Sequence, residues 1–214
     1  MTARYHALIP FRPTNPKTRL SSVLSQEERE EFARVMLDDV ITAVLGTGAE
    51  VTVLSTGEYT TDKANVRVKD EGLNEALNGM LPSMEVPVLI IMSDLPIVRS
   101  EDLLRVVSTT ADFAVVPGLG GGTNILFIKH PKEYHVEYYG FSFKKHCEIA
   151  RECGMTIEVI DSMRMSTDVD EPSDLVELLI HGKGKAPQWL LSHEFALSTE
   201  SGRLKVTYKG GEIV

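Results

Sequence analysis

The sequence is poor in cysteine and has no long hydrophobic run. Its 214 residues include two cysteines, Cys147 and Cys153, which form neither a C-x-x-C motif nor a spread framework, so we expect reduced thiols. No apolar run approaches the roughly 20 residues that a membrane-spanning helix needs. Segment 1–10 has only a short apolar patch, broken by Arg4 and His6, which does not fit a signal peptide. We therefore expect a cytoplasmic protein without a membrane partner.

Several common enzyme motifs are also missing. The six histidines form no H-x-x-x-H or H-E-x-x-H pattern, which argues against a zinc site. The chain contains no G-x-S-x-G nucleophile elbow and no G-x-x-x-x-G-K-[ST] phosphate loop. The net charge of −9 argues against nucleic acid as a partner. An acidic protein that handles phosphates must gather its cations locally or recruit a metal ion.

What the sequence does contain is an alternation of strand-like and helix-like segments. Ser25 and Glu28 have the spacing of a capping box, and apolar residues at helical spacing follow as far as Gly46 or Gly48. Segment 86–92, VPVLIIM, is typical of a central parallel strand covered on both faces. The alternation predicts an α/β fold, with a single Rossmann-like domain over residues 1–214. Its sheet is expected to be mixed but mostly parallel, with helices on both faces.

The remaining elements follow from the same patterns. Further strands are predicted at 5–11, 50–55, 65–69, 112–117, 125–129 and 156–160. Further helices are predicted at 73–81, after Ser100 as its capping residue, at 142–152 and at 172–181. Segment 196–208, with Gly202 at its turn, is predicted to form a C-terminal β-hairpin.

A basic loop follows the first predicted strand, and it contains Arg12, Lys17 and Arg19. Ligands of open α/β sheets bind beyond the carboxyl ends of the strands. A lysine supplies a point charge and an arginine a bidentate fork, a combination that suits a nucleoside triphosphate. Taken alone, a solvated basic loop is the commoner case. The position after the first strand favours phosphate binding.

Carboxylates follow two other predicted elements. Asp94 comes directly after the buried strand at 86–92, and Asp168 and Asp170 would share one side of an extended segment. Mg²⁺ characteristically takes one or two carboxylates together with waters and substrate phosphates. The three aspartates are therefore a candidate divalent-metal site. The alternative is that Asp94 belongs to a turn and that Asp170 caps a helix.

Segment 118–124, GLGGGTN, has four glycines among seven residues. It is not a dinucleotide fingerprint, because Thr123 stands where the third glycine should be and a strand follows instead of a helix. A flexible hairpin turn is one interpretation. Thr123 and Asn124 beside the glycines favour a second one, a cradle for a phosphate or carboxylate.

Taken in order, these segments resemble a known family. The segments are PF at 10–11, KTRLS at 17–21, LS at 24–25, GLNEAL at 72–77, SDLP at 93–96, GGGTN at 120–124, YGFSF at 139–143 with His146, and TDVDEP at 167–172 with DL at 174–175. The chain resembles the 2-phospho-L-lactate guanylyltransferase family of coenzyme F(420) biosynthesis, in its archaeal form. The resemblance extends to about His181, so the final hairpin lies outside it.

The resemblance implies a Rossmann-like fold of the nucleotide-diphospho-sugar transferase type. It also implies GTP and a small phospho-acid, 2-phospho-L-lactate or phosphoenolpyruvate, as substrates, with pyrophosphate released and the other product passed to the next enzyme. The implied Mg²⁺ ligands are Asp94, Asp168 and Asp170. The implied ligands of the phospho-acid are Thr123, Gly140 and Ser142. The implied nucleotide-binding residues are Arg12, Lys17, Arg19, Gly72, Leu73 and Asn74, of which Lys17 and Arg19, together with Asp94, would be catalytic.

Two other functions fit the same residues. One is another nucleotidyltransferase, of the sugar-1-phosphate or molybdenum-cofactor type. The other is a non-catalytic nucleotide-binding module, although a pure binding domain does not need three aspartates together with two cations. Segment 189–191, WLL, would cover either the core or the partner in a homodimer.

Overall fold

Ten strands and seven α-helices make up the part of the chain that the structure, a computed structural model, describes: residues 5–200, 203–209 and 211–213. The large sheet contains β1 (His6–Phe11), β2 (Glu50–Ser55), β3 (Asn65–Val68), β4 (Val88–Ile91), β5 (Phe113–Pro117), β6 (Thr123–Ile128) and β7 (Ile157–Val159). The helices are α1 (Gln26–Leu45), α2 (Leu73–Met80), α3 (Ser100–Val107), α4 (Ser142–Glu152), α5 (Met163–Ser166), α6 (Asp174–His181) and α7 (Lys185–Ser192). A small sheet contains β8 (Phe195–Glu200), β9 (Arg203–Tyr208) and β10 (Gly211–Glu212).

The large sheet is mixed, in the order β3-β2-β1-β4-β6-β5-β7. Neighbouring strands run parallel except at β6, which is antiparallel to both β4 and β5. The prediction of a mostly parallel mixed sheet is therefore confirmed. The buried strand β4 has one parallel neighbour, β1, and one antiparallel neighbour, β6.

Strand β6 begins at the edge where the parallel strands end. Ile91, the last residue of β4, lies opposite Ile125, and Pro117, the last residue of β5, lies opposite Thr123. The strand therefore starts two residues earlier than predicted, so Thr123 and Asn124 belong to it and not to the glycine loop. Their position at this edge follows from the hairpin that joins β5 to β6.

Helices cover both faces of the large sheet, as predicted. Strand residues alternate between the faces: Ile9 belongs to a buried cluster with Val40 of α1 and Leu103 of α3, whereas Leu8 belongs to a cluster with Leu77 of α2. Helix α4 packs into the second cluster as well. This period-two alternation, with both sets of side chains buried, explains why the central strands are apolar throughout.

The predicted capping residue is confirmed for α1 but is wrong for α3. Ser25 caps α1 and forms the predicted capping box with Glu28, and Gly46 follows the last helical residue. Ser100, in contrast, does not cap α3. Arg99 is the capping residue, its N–H donates to Asp102 Oδ2 at 3.0 Å, and Ser100 is the first helical residue. The Ser100 hydroxyl instead donates to the carbonyl of Ala43 in α1 at 2.8 Å.

The C-terminal elements pack on the outer side of α1. Trp189 of α7 stacks on Phe32 of α1 with ring centroids 5.0 Å apart, and Phe195 and Val206 of the small sheet complete this buried cluster. Trp189 thus covers the core, whereas Leu191 is exposed. The predicted hairpin between β8 and β9 is confirmed, but its predicted turn residue, Gly202, lies outside the described residues. No helix in the described ranges has the length and apolarity that crossing a membrane requires.

Candidate active site

A cleft of about 720 Å³ opens beyond the carboxyl ends of β1 and β4, and its size is that of a small-ligand site. Its lining includes these predicted residues: Arg12, Lys17, Gly72, Leu73, Asp94 and Asp170. Lys69, Asp70, Glu71 and Tyr139 also line the cleft and were not predicted. Tyr139 begins the YGFSF segment of the resemblance but was given no role, and no motif singles out the other three, which lie on the short connection after β3.

The three predicted metal ligands meet at one place. One carboxylate oxygen from each of Asp94, Asp168 and Asp170 lies within 4.8 Å of the other two. The ammonium group of Lys17 lies 2.5 Å from Asp94 Oδ2 and 2.6 Å from Asp170 Oδ1. Arg19, whose side chain is 70% exposed, reaches Asp170 Oδ2 only at 3.5 Å. The structure therefore joins the basic loop to the acidic cluster through Lys17.

Backbone contacts bring the aspartates together. Asp94 lies three residues after the end of β4, and its carbonyl accepts a hydrogen bond from the N–H of Val169 at 3.0 Å. Val169 is buried, so its neighbours Asp168 and Asp170 point the other way, as the predicted alternation requires. Asp170 does not cap α6, because Ser173 is the capping position, and Asp174 Oδ2 accepts the N–H groups of Asp170 and Glu171. The Asp170 carboxylate is thus left to contact Lys17.

The electrostatics of this cluster fit a divalent cation. Burial, together with the charge of Asp94, raises the pKa of Asp168 above its ordinary value. Burial lowers the pKa of Lys17, but the charges of Asp94 and Asp170 outweigh it and raise the pKa overall. Asp94 Oδ1 is buried and has no hydrogen-bond partner among the residues that the structure describes. A buried carboxylate oxygen without a donor is costly, and hard cations prefer oxygen ligands, so these residues suit Mg²⁺.

Arg29 of α1 holds the basic loop from below, a role that the sequence does not reveal. Its buried guanidinium donates to the carbonyl of Pro16 at 3.1 Å and to Asn15 Oδ1 at 2.7 Å. Asn15 and Lys17 both adopt left-handed backbone conformations, with φ of 45° and 51°. Such conformations persist only where the surroundings enforce them. Arg29 therefore stabilises the loop shape that brings Lys17 to the aspartates.

We expect Arg29→Met to lower kcat/KM for the nucleotide that the resemblance implies by about tenfold, because Lys17 loses the support of its loop. The measurement is a double-mutant cycle with Lys17→Met, scored by steady-state kinetics. If Arg29 acts through Lys17, adding Arg29→Met to Lys17→Met produces little further loss. Fully additive losses would contradict this role.

The side chain of Asn74 holds a neighbouring backbone segment in place. Its side-chain amide donates to the carbonyl of Tyr138 at 3.4 Å, and its oxygen accepts the N–H of Tyr138 at 2.7 Å. Asn78, one turn further along α2, makes the same pair of bonds to Val136 at 3.0 and 2.7 Å. Helix α2 thereby clamps segment 136–138 and fixes the position of Tyr139 at the cleft. A role of Asn74 near a nucleoside stays a prediction.

The glycine segment is a hairpin turn between β5 and β6. Three of its N–H groups, those of Gly118, Leu119 and Gly121, donate to carbonyls within the protein. Gly121 has a φ of +80°, which explains a glycine at that position. The hairpin interpretation is therefore confirmed, whereas the anion cradle stays a prediction.

The residues predicted to hold a phospho-acid meet beside this turn. Ser142 Oγ lies 3.1 Å from Thr123 Oγ1, and both side chains are buried. Gly140, with a φ of +63°, lies two residues before Ser142 and accepts its N–H through the carbonyl at 2.9 Å. Asn124 donates to Asp168 Oδ1 at 3.3 Å. The hydroxyl pair and the acidic cluster are thus linked through adjacent residues of β6.

Comparison with known proteins gives consistent matches. The family model described as "Guanylyl transferase CofC like" matches residues 5–208. The 2-phospho-L-lactate guanylyltransferase of Methanocorpusculum labreanum is 63% identical over 210 residues, which cover 98% of this chain and 99% of the relative. The protein of the same name from Methanoculleus marisnigri is 52% identical over 204 residues, which cover 94% and 95%.

Solved structures support the fold. A protein from Desulfovibrio desulfuricans G20, provisionally assigned to the nucleotide-diphospho-sugar transferases, aligns with a TM-score of 0.74 at 15% identity, covering 89% of this chain and 95% of its own. A nucleotidyl transferase from Methanothermobacter aligns with a TM-score of 0.58 at 13% identity, covering 88% and 99%. At these identities the likeness concerns the fold alone.

Proposed function

This chain belongs to the Guanylyl transferase CofC like family, and we propose that it transfers GMP from GTP to 2-phospho-L-lactate and releases pyrophosphate, in coenzyme F(420) biosynthesis. The observation that carries the proposal is the cluster of Asp94, Asp168 and Asp170 with Lys17 beside a cleft of nucleotide size. In a nucleotidyltransferase two polyanions must meet, so the site needs positive charge. Lys17 supplies some of it directly, and the aspartates would hold a metal ion that supplies the rest. Phosphoenolpyruvate is the alternative acceptor.

In the proposed reaction a phosphate oxygen of the acceptor forms a bond to the α-phosphorus of GTP. The bond from that phosphorus to the bridging β-phosphate oxygen breaks, and pyrophosphate leaves with the electron pair. The attacking oxygen is already ionised, so no general base is required. Catalysis then consists mainly of positioning and charge neutralisation, which Lys17 and Arg19 supply on the side of the triphosphate.

The aspartates would hold the Mg²⁺ ion that such a reaction uses. Asp94, Asp168 and Asp170 provide the carboxylate oxygens, and the buried Oδ1 of Asp94, which has no donor among the described residues, fits a cation best. When bound, the ion supplies neutralisation of phosphate charge. Asn124 restrains Asp168 by donating to its Oδ1, which keeps the other oxygen for coordination.

We propose that the nucleotide binds on the side of Arg12, Gly72 and Leu73, which line the cleft. The acceptor is proposed to bind beside Thr123, Gly140 and Ser142. The further parts of the proposal are a single domain over residues 1–214, a homodimer, a cytoplasmic location, and delivery of the product to the next enzyme. Packing of Trp189, Phe195 and Val206 into one cluster with α1 supports the single domain.

The test is pyrophosphate release by the purified protein with Mg²⁺, in a panel of nucleotides and acceptors. We expect release with GTP and 2-phospho-L-lactate, and only background release with GTP alone. Phosphoenolpyruvate and a sugar 1-phosphate serve as alternative acceptors, and ATP as the alternative nucleotide. Release that depends on the sugar phosphate instead would replace the proposed acceptor, and tight GTP binding without release in any arm would contradict catalysis.

A further inference from the structure

His146 of α4 is a buried imidazole that the proposed mechanism does not yet use. It is completely buried, and both of its ring nitrogens have partners. Nδ1 lies 2.9 Å from Thr123 Oγ1, and Nε2 lies 3.1 Å from the backbone nitrogen of Glu137. His146 therefore connects the hydroxyl pair of Thr123 and Ser142 to segment 136–138, which α2 clamps from the other side.

The Glu137 contact selects one form of the imidazole. A backbone N–H can only donate, so Nε2 must accept and carry no proton. A neutral imidazole then has its proton on Nδ1. Burial lowers the pKa of His146 to about 4, so the ring stays neutral at pH 7. Nδ1–H is thus a fixed donor to Thr123 Oγ1.

This donor decides how the hydroxyl pair uses its own hydrogens. Thr123 and Ser142 bring two O–H hydrogens, and one of them forms the bond between the two oxygens at 3.1 Å. Because His146 donates through Nδ1–H, Thr123 does not use its own hydrogen on the imidazole, and the three groups share two hydrogen bonds but bring three hydrogens. Whichever hydroxyl donates within the pair, one O–H hydrogen remains for a ligand.

We propose that His146 is a positioning residue that makes the Thr123–Ser142 pair a net hydrogen-bond donor to the anionic group of the acceptor. The proposal rests on the proposed function and adds how the hydroxyl pair would donate to the anion that it is proposed to hold. The pair lies beside the turn at 118–122, which is tied to α4 by the bond from Phe143 N to the Gly121 carbonyl at 3.3 Å. Shielding from water strengthens a hydrogen bond between the free hydrogen and a charged oxygen.

The test compares His146→Leu, which removes both ring nitrogens, with His146→Asn, whose amide N–H stands near the position of Nδ1. We expect His146→Leu to raise KM for 2-phospho-L-lactate by about 10- to 100-fold, the effect of one hydrogen bond to a charged group. KM for GTP should stay within about twofold, because the nucleotide lies on the other side of the cleft. His146→Asn should recover most of the loss.

A Thr123→Val background separates positioning from a structural effect. If His146 acts through Thr123, His146→Leu adds little to the acceptor KM in that background. Equal increases of KM for GTP and acceptor, or an unchanged acceptor KM in His146→Leu, would overturn the proposal. Wild-type protein without turnover of any phospho-acid would instead contradict the proposed function.

A measurement on the wild-type protein keeps the proposal testable if the variants fail to fold. Nitrogen-15 NMR of the histidine rings distinguishes a protonated Nδ1 from a protonated Nε2. We expect His146 to carry its proton on Nδ1 at pH 7. A proton on Nε2, or on both nitrogens, would overturn the proposal, because Thr123 would then lack the fixed donor or Glu137 the acceptor.

Discussion

Asp94→Asn is expected to lower kcat by about 10²- to 10³-fold, the loss seen when one electrostatic element of a site is removed. Asparagine keeps the shape of the side chain and removes its charge. The change weakens the contact with Lys17 at 2.5 Å, and it leaves the unpartnered Oδ1 position without a strong ligand for a cation. Steady-state kinetics with GTP and 2-phospho-L-lactate at saturating Mg²⁺ measure the effect.

The matched control for this variant is Asp161→Asn, because Asp161 is an exposed aspartate outside the cleft. We expect the control to keep wild-type kcat. Thermal unfolding of both variants should resemble that of the wild type, since the loss of the ion pair with Lys17 is opposed by the loss of repulsion with Asp168. Near-normal turnover of Asp94→Asn would remove Asp94 from the catalytic machinery.

Lys17→Met is expected to lower kcat/KM for GTP by about 10²- to 10³-fold, because the loop loses the cation that would meet the triphosphate. The same variant should reach half-maximal rate at a lower Mg²⁺ concentration than the wild type. The reason is that the Lys17 ammonium and a metal ion compete for the same oxygens, Asp94 Oδ2 and Asp170 Oδ1. Titration of activity with Mg²⁺ measures both quantities.

The test is specific because Lys17→Met is expected to use GTP less efficiently and yet to bind Mg²⁺ more tightly. Lys144→Met is the control, since Lys144 is 76% exposed and pairs with Glu148 on the surface of α4. It should change neither quantity. A Lys17→Met enzyme that needs more Mg²⁺ than the wild type would show that Lys17 assists the metal site and does not compete with it.

Much of the fold follows from local patterns in the sequence. The capping box at Ser25 and Glu28, the apolar segment that contains β4, and the hairpin of β8 and β9 were all predicted and are confirmed. The resemblance to 2-phospho-L-lactate guanylyltransferases is confirmed by the family match and by the relatives. These features depend on a few residues that are close in sequence, so a single chain suffices to predict them.

The aspartate cluster was predicted for a different reason. Ligands bind beyond the carboxyl ends of the strands, which singled out Asp94, whereas Asp168 and Asp170 were named from their alternation and from the resemblance. The bond from Val169 N–H to the Asp94 carbonyl, which brings them together, was not predicted. Asp94, Asp168 and Asp170 could still be named before their distances were known. Their roles as metal ligands stay a prediction.

The rest of the site depends on contacts between residues far apart in sequence. Arg29 supports the Lys17 loop by donating to a backbone carbonyl, an acceptor that every residue possesses and that no sequence pattern marks. Asn74 was assigned to the nucleoside, but its amide pairs with the backbone of Tyr138, 64 residues away. The start of β6 at Thr123 was missed because a strand that begins inside a glycine turn has no local boundary signal.

The most direct test of the central claim follows the phosphorus atoms of GTP. Wild-type protein is incubated with Mg²⁺, 2-phospho-L-lactate and GTP labelled at either the α- or the γ-phosphate, and the products are separated. We expect the α label in a compound that also contains the acceptor, and the γ label in pyrophosphate. Label from the γ position in inorganic phosphate or on the acceptor, with the α label retained in GDP, would contradict guanylyl transfer and indicate hydrolysis or phosphorylation instead.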